Sequence, residues 1–137
     1  LVVNKPVKVG HLIQQDDIKQ QLVKKGTSMK LVYKNTAFLL SGDAPKNIEE
    51  YIVSLDGENL SSNVLKLGHH GSRTSTSKFF LNAVNPQYAI ISAGRDNRYG
   101  HPHKEVVEML SEFKIPFIST YEKGTVVIKS DGENIIF

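Results

Sequence analysis

Cysteine is absent from all 137 residues of the chain. That excludes disulfides, zinc–thiolate sites and a thiol nucleophile, so any metal must be held by His, Asp, Glu or water. A chain without thiols is also safe in an oxidising compartment. No apolar run approaches the roughly 18 residues that signal a membrane span, and the first residues show no signal-peptide pattern. Strong charge of either sign is missing too. The 17 basic and 14 acidic residues leave a net charge of +3, too mild to argue nucleic-acid binding unaided. Low-complexity segments and linkers are absent, and Leu1 stands where a full-length chain would carry Met, so a fragment or a processed form is expected. What is present fits a folded domain. The chain is 39% hydrophobic and 23% charged, which separates it from disordered sequences, and its length suits one domain with a real core.

Residues 1–27 are the least readable. LVV and VKV are candidate short strands around Pro6, and HLIQQDDIKQQLV is a candidate helix with Leu12, Ile18 and Leu22 at imperfect helical spacing. From Met29 the pattern sharpens. MKLVYK and TAFLLS predict a hairpin turning at Asn35. SGDAP ends the second strand, and Pro45 suits a helix start. Ile48, Tyr51, Ile52 and Leu55 then mark one face of an amphipathic helix that ends at Asp56-Gly57. The same unit repeats twice. VLKL is a strand, GHHGSRTST a polar loop, and SKFFLNAV a helix capped by Thr76 or Ser77. YAIISA, GRDNRYGHPH and KEVVEMLSEF follow in the same order. PFIST is a short strand, and TVVIKS with NIIF predicts a terminal hairpin on an Asp131-Gly132 turn. Strands alternating with helices predict an α/β layered sheet. In such sheets sites form where the carboxyl ends of strands meet polar loops.

Three strand ends lead into ligand-capable loops: Ser41-Gly42-Asp43, Gly68-His69-His70, and Gly94 through His103. Four of the five histidines fall in two of them. A single loop histidine more often caps a backbone group than binds a ligand. Four together, with a carboxylate at a third strand end, favour a site, because imidazole is both a common metal ligand and a proton carrier near neutral pH. Imidazole with carboxylate and no thiol suits zinc, manganese or iron at a hydrolytic centre. Asp43 alone would read as a helix cap, and in this company it reads as a metal ligand. Side chains alternate along extended chain, so His69 and His70 are expected to point apart, with at most one ligating. SRTSTS offers hydroxyls and a guanidinium before a helix start, which suits a phosphate oxygen. Ser72, Arg73, Thr74 and Ser75 are the candidate contacts, while Thr76 and Ser77 read as caps. In the third loop Asn97, Arg98, Tyr99 and His101 read as substrate-binding, and His103 as structural. His11 reads as an ordinary surface or core residue.

The strings AFLLSGDA, NVLKLGHHGSRTSTSKFF, YAIISAGRDNRYGHPHKEVVEML and GTVVIKS, from about Ser28 to Ile128, resemble the metallo-β-lactamase-fold domain of ComEC-type competence proteins, which serve DNA internalisation. The resemblance implies an αββα sandwich of which residues 28–137 form about the second half, a mixed sheet flanked by helices, with residues 1–27 unassigned. It implies a dinuclear site whose bridging carboxylate matches Asp43 and whose late histidine ligand falls at His69 or His70. A metal-bound hydroxide would attack a DNA phosphodiester there, on the extracytoplasmic face of the bacterial membrane. Asp43, His70 and His101 are the candidate catalytic residues, and Asp43, His69 and His70 the candidate metal ligands. The family's first ligand cluster, H-x-H-x-D-H, is missing: His11 is followed by LIQQDD, and His101-Pro102-His103 by Lys-Glu-Val. The expected function is therefore the C-terminal part of a competence-related nuclease, inactive alone, with zinc or manganese bound in a complete domain and weakly or not at all here. The alternative is a non-catalytic phosphate- or nucleic-acid-binding module. Half of a two-sheet sandwich would also leave one apolar face uncovered, so self-association or a missing N-terminal half is expected to cover it.

Overall fold

The computed structural model describes residues 18–22 and 28–137. Six strands form one mixed sheet in chain order: β1 (Ile18–Leu22), β2 (Met29–Tyr33), β3 (Thr36–Leu40), β4 (Val64–Lys66), β5 (Tyr88–Ile91) and β6 (Phe117–Ser119). The pairs β1–β2 and β2–β3 are antiparallel, and β3 through β6 run parallel. Parallel neighbours need a crossover, which helices supply. Helix α1 (Lys46–Asp56) lies between β3 and β4, α2 (Lys78–Val84) between β4 and β5, and α3 (Lys104–Glu112) between β5 and β6. The thrice-repeated strand, loop and helix is therefore present as read.

Side-chain alternation along the strands makes two cores. Leu39, Leu65, Ala89 and Ile91 face the helices and pack with Ile52 of α1, Phe80, Leu81 and Val84 of α2, and Val106, Met109 and Leu110 of α3. Their intervening neighbours Phe38, Val64 and Ile90 face the other way and pack with Val126, Ile128 and Ile135. That second face belongs to the chain's own C-terminal segment: a short helix α4 (Thr120–Lys123), then strands β7 (Lys129–Ser130) and β8 (Ile135–Ile136) in a small antiparallel sheet. The expected uncovered apolar face is thus not found among the described residues, and the ground for expecting self-association goes with it.

Three local readings differ. Ile18–Leu22 is a strand, not part of a helix, because it pairs along its whole length with β2, from Ile18 opposite Tyr33 to Leu22 opposite Met29. The other readings of residues 1–17 and 23–27 lie outside the described residues. Helix α1 buries Glu49 and Ile52 and leaves Tyr51 and Leu55 exposed, a rotated face whose cause is a polar contact given below. The terminal hairpin turns over Asp131–Asn134, where the Asp131 carboxylate accepts the amides of Glu133 and Asn134, instead of over two residues. Among the described residues no helix is long and apolar enough to cross a membrane.

Candidate functional site

Because β3, β4 and β5 are parallel, their carboxyl ends share one edge of the sheet, and the three polar loops meet there. Cross-loop hydrogen bonds fix the meeting. The His69 amide donates to the Gly42 carbonyl at 2.9 Å, and the Lys46 amide to the Thr74 carbonyl at 2.9 Å. The His103 amide donates to the Gly71 carbonyl at 3.0 Å, and the Arg73 amide to Nδ1 of His103 at 3.1 Å. Asp43, exposed at the end of β3, stands one residue from the carbonyl that receives His69.

The paired histidines do not sit on extended chain. Gly68–Gly71 is a tight turn in which His69 (φ 46°) and His70 (φ 58°) are both left-handed, a conformation uncommon for residues with a Cβ. Alternation therefore does not apply, and both rings turn toward one point. The His69 and His101 centroids are 5.6 Å apart, His69 and His70 6.3 Å, and His70 and His101 6.3 Å. Nδ1 of His70 lies 2.6 Å from the Ser92 carbonyl. A carbonyl only accepts, so Nδ1 carries the proton and Nε2 is left as a lone-pair acceptor. His69 Nδ1 lies 3.5 Å from the Thr74 hydroxyl.

The hydroxyl-rich loop divides into two roles. Arg73 and Thr74 are exposed, and the buried Ser72 hydroxyl bonds that of Thr74 at 2.9 Å. Ser75 is fully buried and donates to the Ala44 carbonyl at 2.7 Å, which removes it from the substrate set. Ser77 caps α2 by accepting the Phe80 amide at 3.1 Å, while the buried Thr76 hydroxyl has no partner. An anion was expected at this helix start, and one is built in. Glu49, fully buried on α1, accepts the amides of Thr76 at 2.8 Å and Ser77 at 2.9 Å. A phosphate cannot use those amides. Burial pushes the Glu49 carboxyl up from its ordinary value, and the two amides and Lys46 oppose the shift. Glu49 was missed, although a glutamate directly after Ile48 and three residues before Ile52 was the available signal.

In the third loop Asn97 is a brace. Its amide nitrogen donates to the carbonyls of Gly94 (2.8 Å) and His101 (2.6 Å), and its oxygen accepts the His101 amide at 3.0 Å. Its hydrogen-bonding groups are taken up inside the loop, so the substrate-binding reading of Asn97 is replaced by a structural one. Arg98 and Tyr99 are exposed. Arg98 lies 4.7 Å over the Tyr99 ring, which stacks on His101 at 5.7 Å. His103 has the expected structural role, and its ring lies 4.8 Å from that of His101.

Two groups here have perturbed proton affinity. The His101 pKa is lowered, first by burial and then by the imidazoles of His103, His69 and His70. Lys66, the one charged residue inside the VLKL run, is lowered by burial while Asp43 pulls it back up. Its Nζ donates to the Leu67 carbonyl at 3.1 Å. Lys66 was missed, although a cation ending a central parallel strand, inside an apolar run, is itself a signal. For His101 the native state binds fewer protons than the unfolded state below the ordinary value of about 6.5. Its contribution to stability is whole above that pH and is lost as pH falls toward the folded value. A histidine proton titration by NMR is expected to show His101 titrating below that value. Replacing His70 by Gln should move the His101 midpoint upward. An unmoved midpoint would rule out His70 as a cause.

The imidazole nitrogens suit a transition metal, but the set is not closed. Among the described residues no group of three or more His, Asp or Glu is arranged to hold a metal ion.

No protein-family model matches the chain. Curated proteins do. It is 40% identical over 90 residues to ComE operon protein 3 of Bacillus subtilis (strain 168), covering 66% of this chain and 12% of that protein. It is 41% identical over 102 residues to competence protein ComA of Neisseria gonorrhoeae, covering 74% of this chain and 15% of that one. Recombination protein 2 of Haemophilus influenzae is 42% identical over 88 residues, 64% of this chain and 11% of its own length. The chain thus spans a small part, 11–15%, of the relatives it matches, one of which is named for competence.

Proposed function

We propose that the chain is the C-terminal part of a metallo-β-lactamase-fold hydrolase that acts on DNA phosphodiesters during competence-linked uptake. The observation that carries this reading is the convergence of His69, His70 and His101, with ring centroids 5.6–6.3 Å apart, at the strand edge that also holds Asp43 and Arg73. Similarity at about 40% to competence proteins supports the biological setting. The chain's own share of the chemistry is to grip the phosphate and carry a proton. The Arg73 guanidinium and Thr74 hydroxyl meet phosphate oxygens. His70, its tautomer set by the Ser92 carbonyl, offers Nε2 as proton acceptor, and His101 is neutral at neutral pH and serves likewise. Zinc or manganese belongs to the complete domain, with ligands beyond those described. The open ligand set favours a second reading, a phosphate- or DNA-binding module without catalysis.

Titration of the chain with a short single-stranded oligonucleotide, followed by amide NMR, tests the reading. Resonances of Arg73, Thr74 and the three histidines are expected to move together, and Arg73→Ala to weaken binding by roughly tenfold, the value of one charge-assisted hydrogen bond. Shifts confined to other surfaces would overturn both readings. Sub-micromolar zinc binding by the unaltered chain would show that the ligand set closes by itself, against the partial site proposed. Cleavage by a full-length relative that disappears with its counterparts of Asp43 and His70 would decide for the hydrolase over the binding module.

A further inference from the structure

His101 lines a second space besides the histidine cluster. A cleft of about 380 Å³ lies between it and Arg95, Asp96, Pro102, Tyr121 and Glu122. Its walls are pinned. A guanidinium nitrogen of Arg95 donates to the Tyr121 carbonyl at 3.1 Å. The Thr120 hydroxyl donates to the Ala93 carbonyl at 2.9 Å and accepts the Ala93 amide at 3.1 Å, which ties the end of β5 to the start of α4. Asn97 holds the loop from Gly94 to His101. The cleft is thus formed in advance, and its volume falls in the range of small-ligand sites, about 300–1,000 Å³.

Its chemistry differs from that of the cluster beside it. Its lining includes one arginine and two acidic residues, Asp96 and Glu122, so carboxylates outnumber the guanidinium there and disfavour a second phosphate. Carboxylates accept hydrogen bonds and donate none. They match the exocyclic amino group of cytosine, and they repel the O4 carbonyl that thymine presents at the same place. The Tyr121 side chain and the Arg95 guanidinium supply the aromatic and planar cationic surfaces on which bases stack. A base that enters a cleft and stacks on side chains there must be unpaired. We propose that the cleft receives an unpaired, amino-bearing base, cytosine above thymine, from the nucleotide next to the phosphate held at the histidine cluster. Asp96 and Glu122 are its specificity-determining residues. The inference rests on the DNA-phosphodiester reading and adds a substrate class to it: single-stranded DNA with a base preference.

Fluorescence anisotropy with this chain and three labelled 12-mers of equal phosphate count, all-dC, all-dT and abasic, separates the two ideas. The abasic probe reads the phosphate grip alone. The dC probe is expected to bind at least roughly fivefold tighter than dT, in line with one good carboxylate-to-cytosine contact. In the double variant Asp96→Asn, Glu122→Gln the ratio of dC to dT should fall to about one. The abasic and dT probes should then bind as well as before or better, since two negative charges are gone. Arg73→Ala should weaken all three probes alike. Equal binding of dC, dT and abasic probes by the unaltered chain would overturn the base pocket and leave the phosphate reading standing. A dC preference that survives the double variant would place the base elsewhere and also overturn it. Binding of none of the probes would remove both. Circular dichroism of the double variant guards against unfolding, and both replaced residues are exposed.

Discussion

Glu49→Ala is expected to destabilise the chain by about 3 kcal/mol or more, since it strips two buried amides of their acceptor at once. Each unsatisfied buried donor costs about 1–3 kcal/mol, and truncating a fully buried side chain leaves a cavity in addition. The loss falls on the site. Glu49 reaches from α1 to the Thr76 and Ser77 amides at 2.8 and 2.9 Å, and its Oε1 would lie 3.4 Å from a Cβ on Gly68, just before the histidine turn. Without it, the loop carrying Arg73 and Thr74 and the turn carrying His69 and His70 lose their common support. Glu49→Gln keeps the shape but sets an amide donor against one backbone N–H, so it should cost less than alanine. Because the native carboxyl is raised by burial, the native state binds more protons than the unfolded state above the ordinary carboxylate value. The contribution of Glu49 is therefore whole below about pH 4.3 and declines as pH rises through its folded pKa. Urea denaturation between pH 4.5 and 8 should show the gap between native and Gln forms narrowing as pH increases. An alanine variant within about 0.5 kcal/mol of the native chain would refute the strut.

The order of elements was legible because β3 to β6 and their helices follow local rules. Pro45 precedes α1, Ser77 caps α2, and apolar strand cores stop at glycine-rich loops. The parallel sheet then brings Asp43, His69, His70 and His101 to one edge without further instruction. What local pattern misses is long-range pairing and polar satisfaction. Ile18–Leu22 carries a weak helical spacing, yet β2 offers it a full antiparallel register, and tertiary pairing overrides propensity. Ser75, Glu49 and Asn97 look like surface polar residues in one dimension. Each turns inward because a specific backbone group needs a partner there: the Ala44 carbonyl, the amides opening α2, and the ends of the Gly94–His101 loop. The base-sized cleft was illegible for a related reason. Tyr121 and Glu122 lie on α4, just beyond the strand PFIST, and become site-lining only because Thr120 bonds Ala93 from the neighbouring strand.

Gly71→Ala is expected to cost on the order of 3 kcal/mol and to spread the histidine cluster. Gly71 has φ of 81°, a left-handed conformation that burdens an alanine by roughly 1–2 kcal/mol. A Cβ there would also stand 2.8 Å from the Pro102 Cβ and 3.3 Å from its Cα, closer than packed carbons allow, and overpacking of this kind adds about 1–3 kcal/mol. A proline ring cannot swing aside as a long side chain can, so the loops themselves must part. The parting lies across the site. The Gly71 carbonyl accepts the His103 amide, and His103 in turn accepts the Arg73 amide. Moving Pro102 outward carries His101 away from His69 and His70 and loosens Arg73 together. Both stability and oligonucleotide affinity should therefore fall. Gly94→Ala is the matched control, since a Cβ there meets nothing within 4 Å, and it should leave stability nearly unchanged. If Gly71→Ala lowered stability while the His101 resonance and Arg73-dependent binding stayed as they are, the two loops would not be acting as one site.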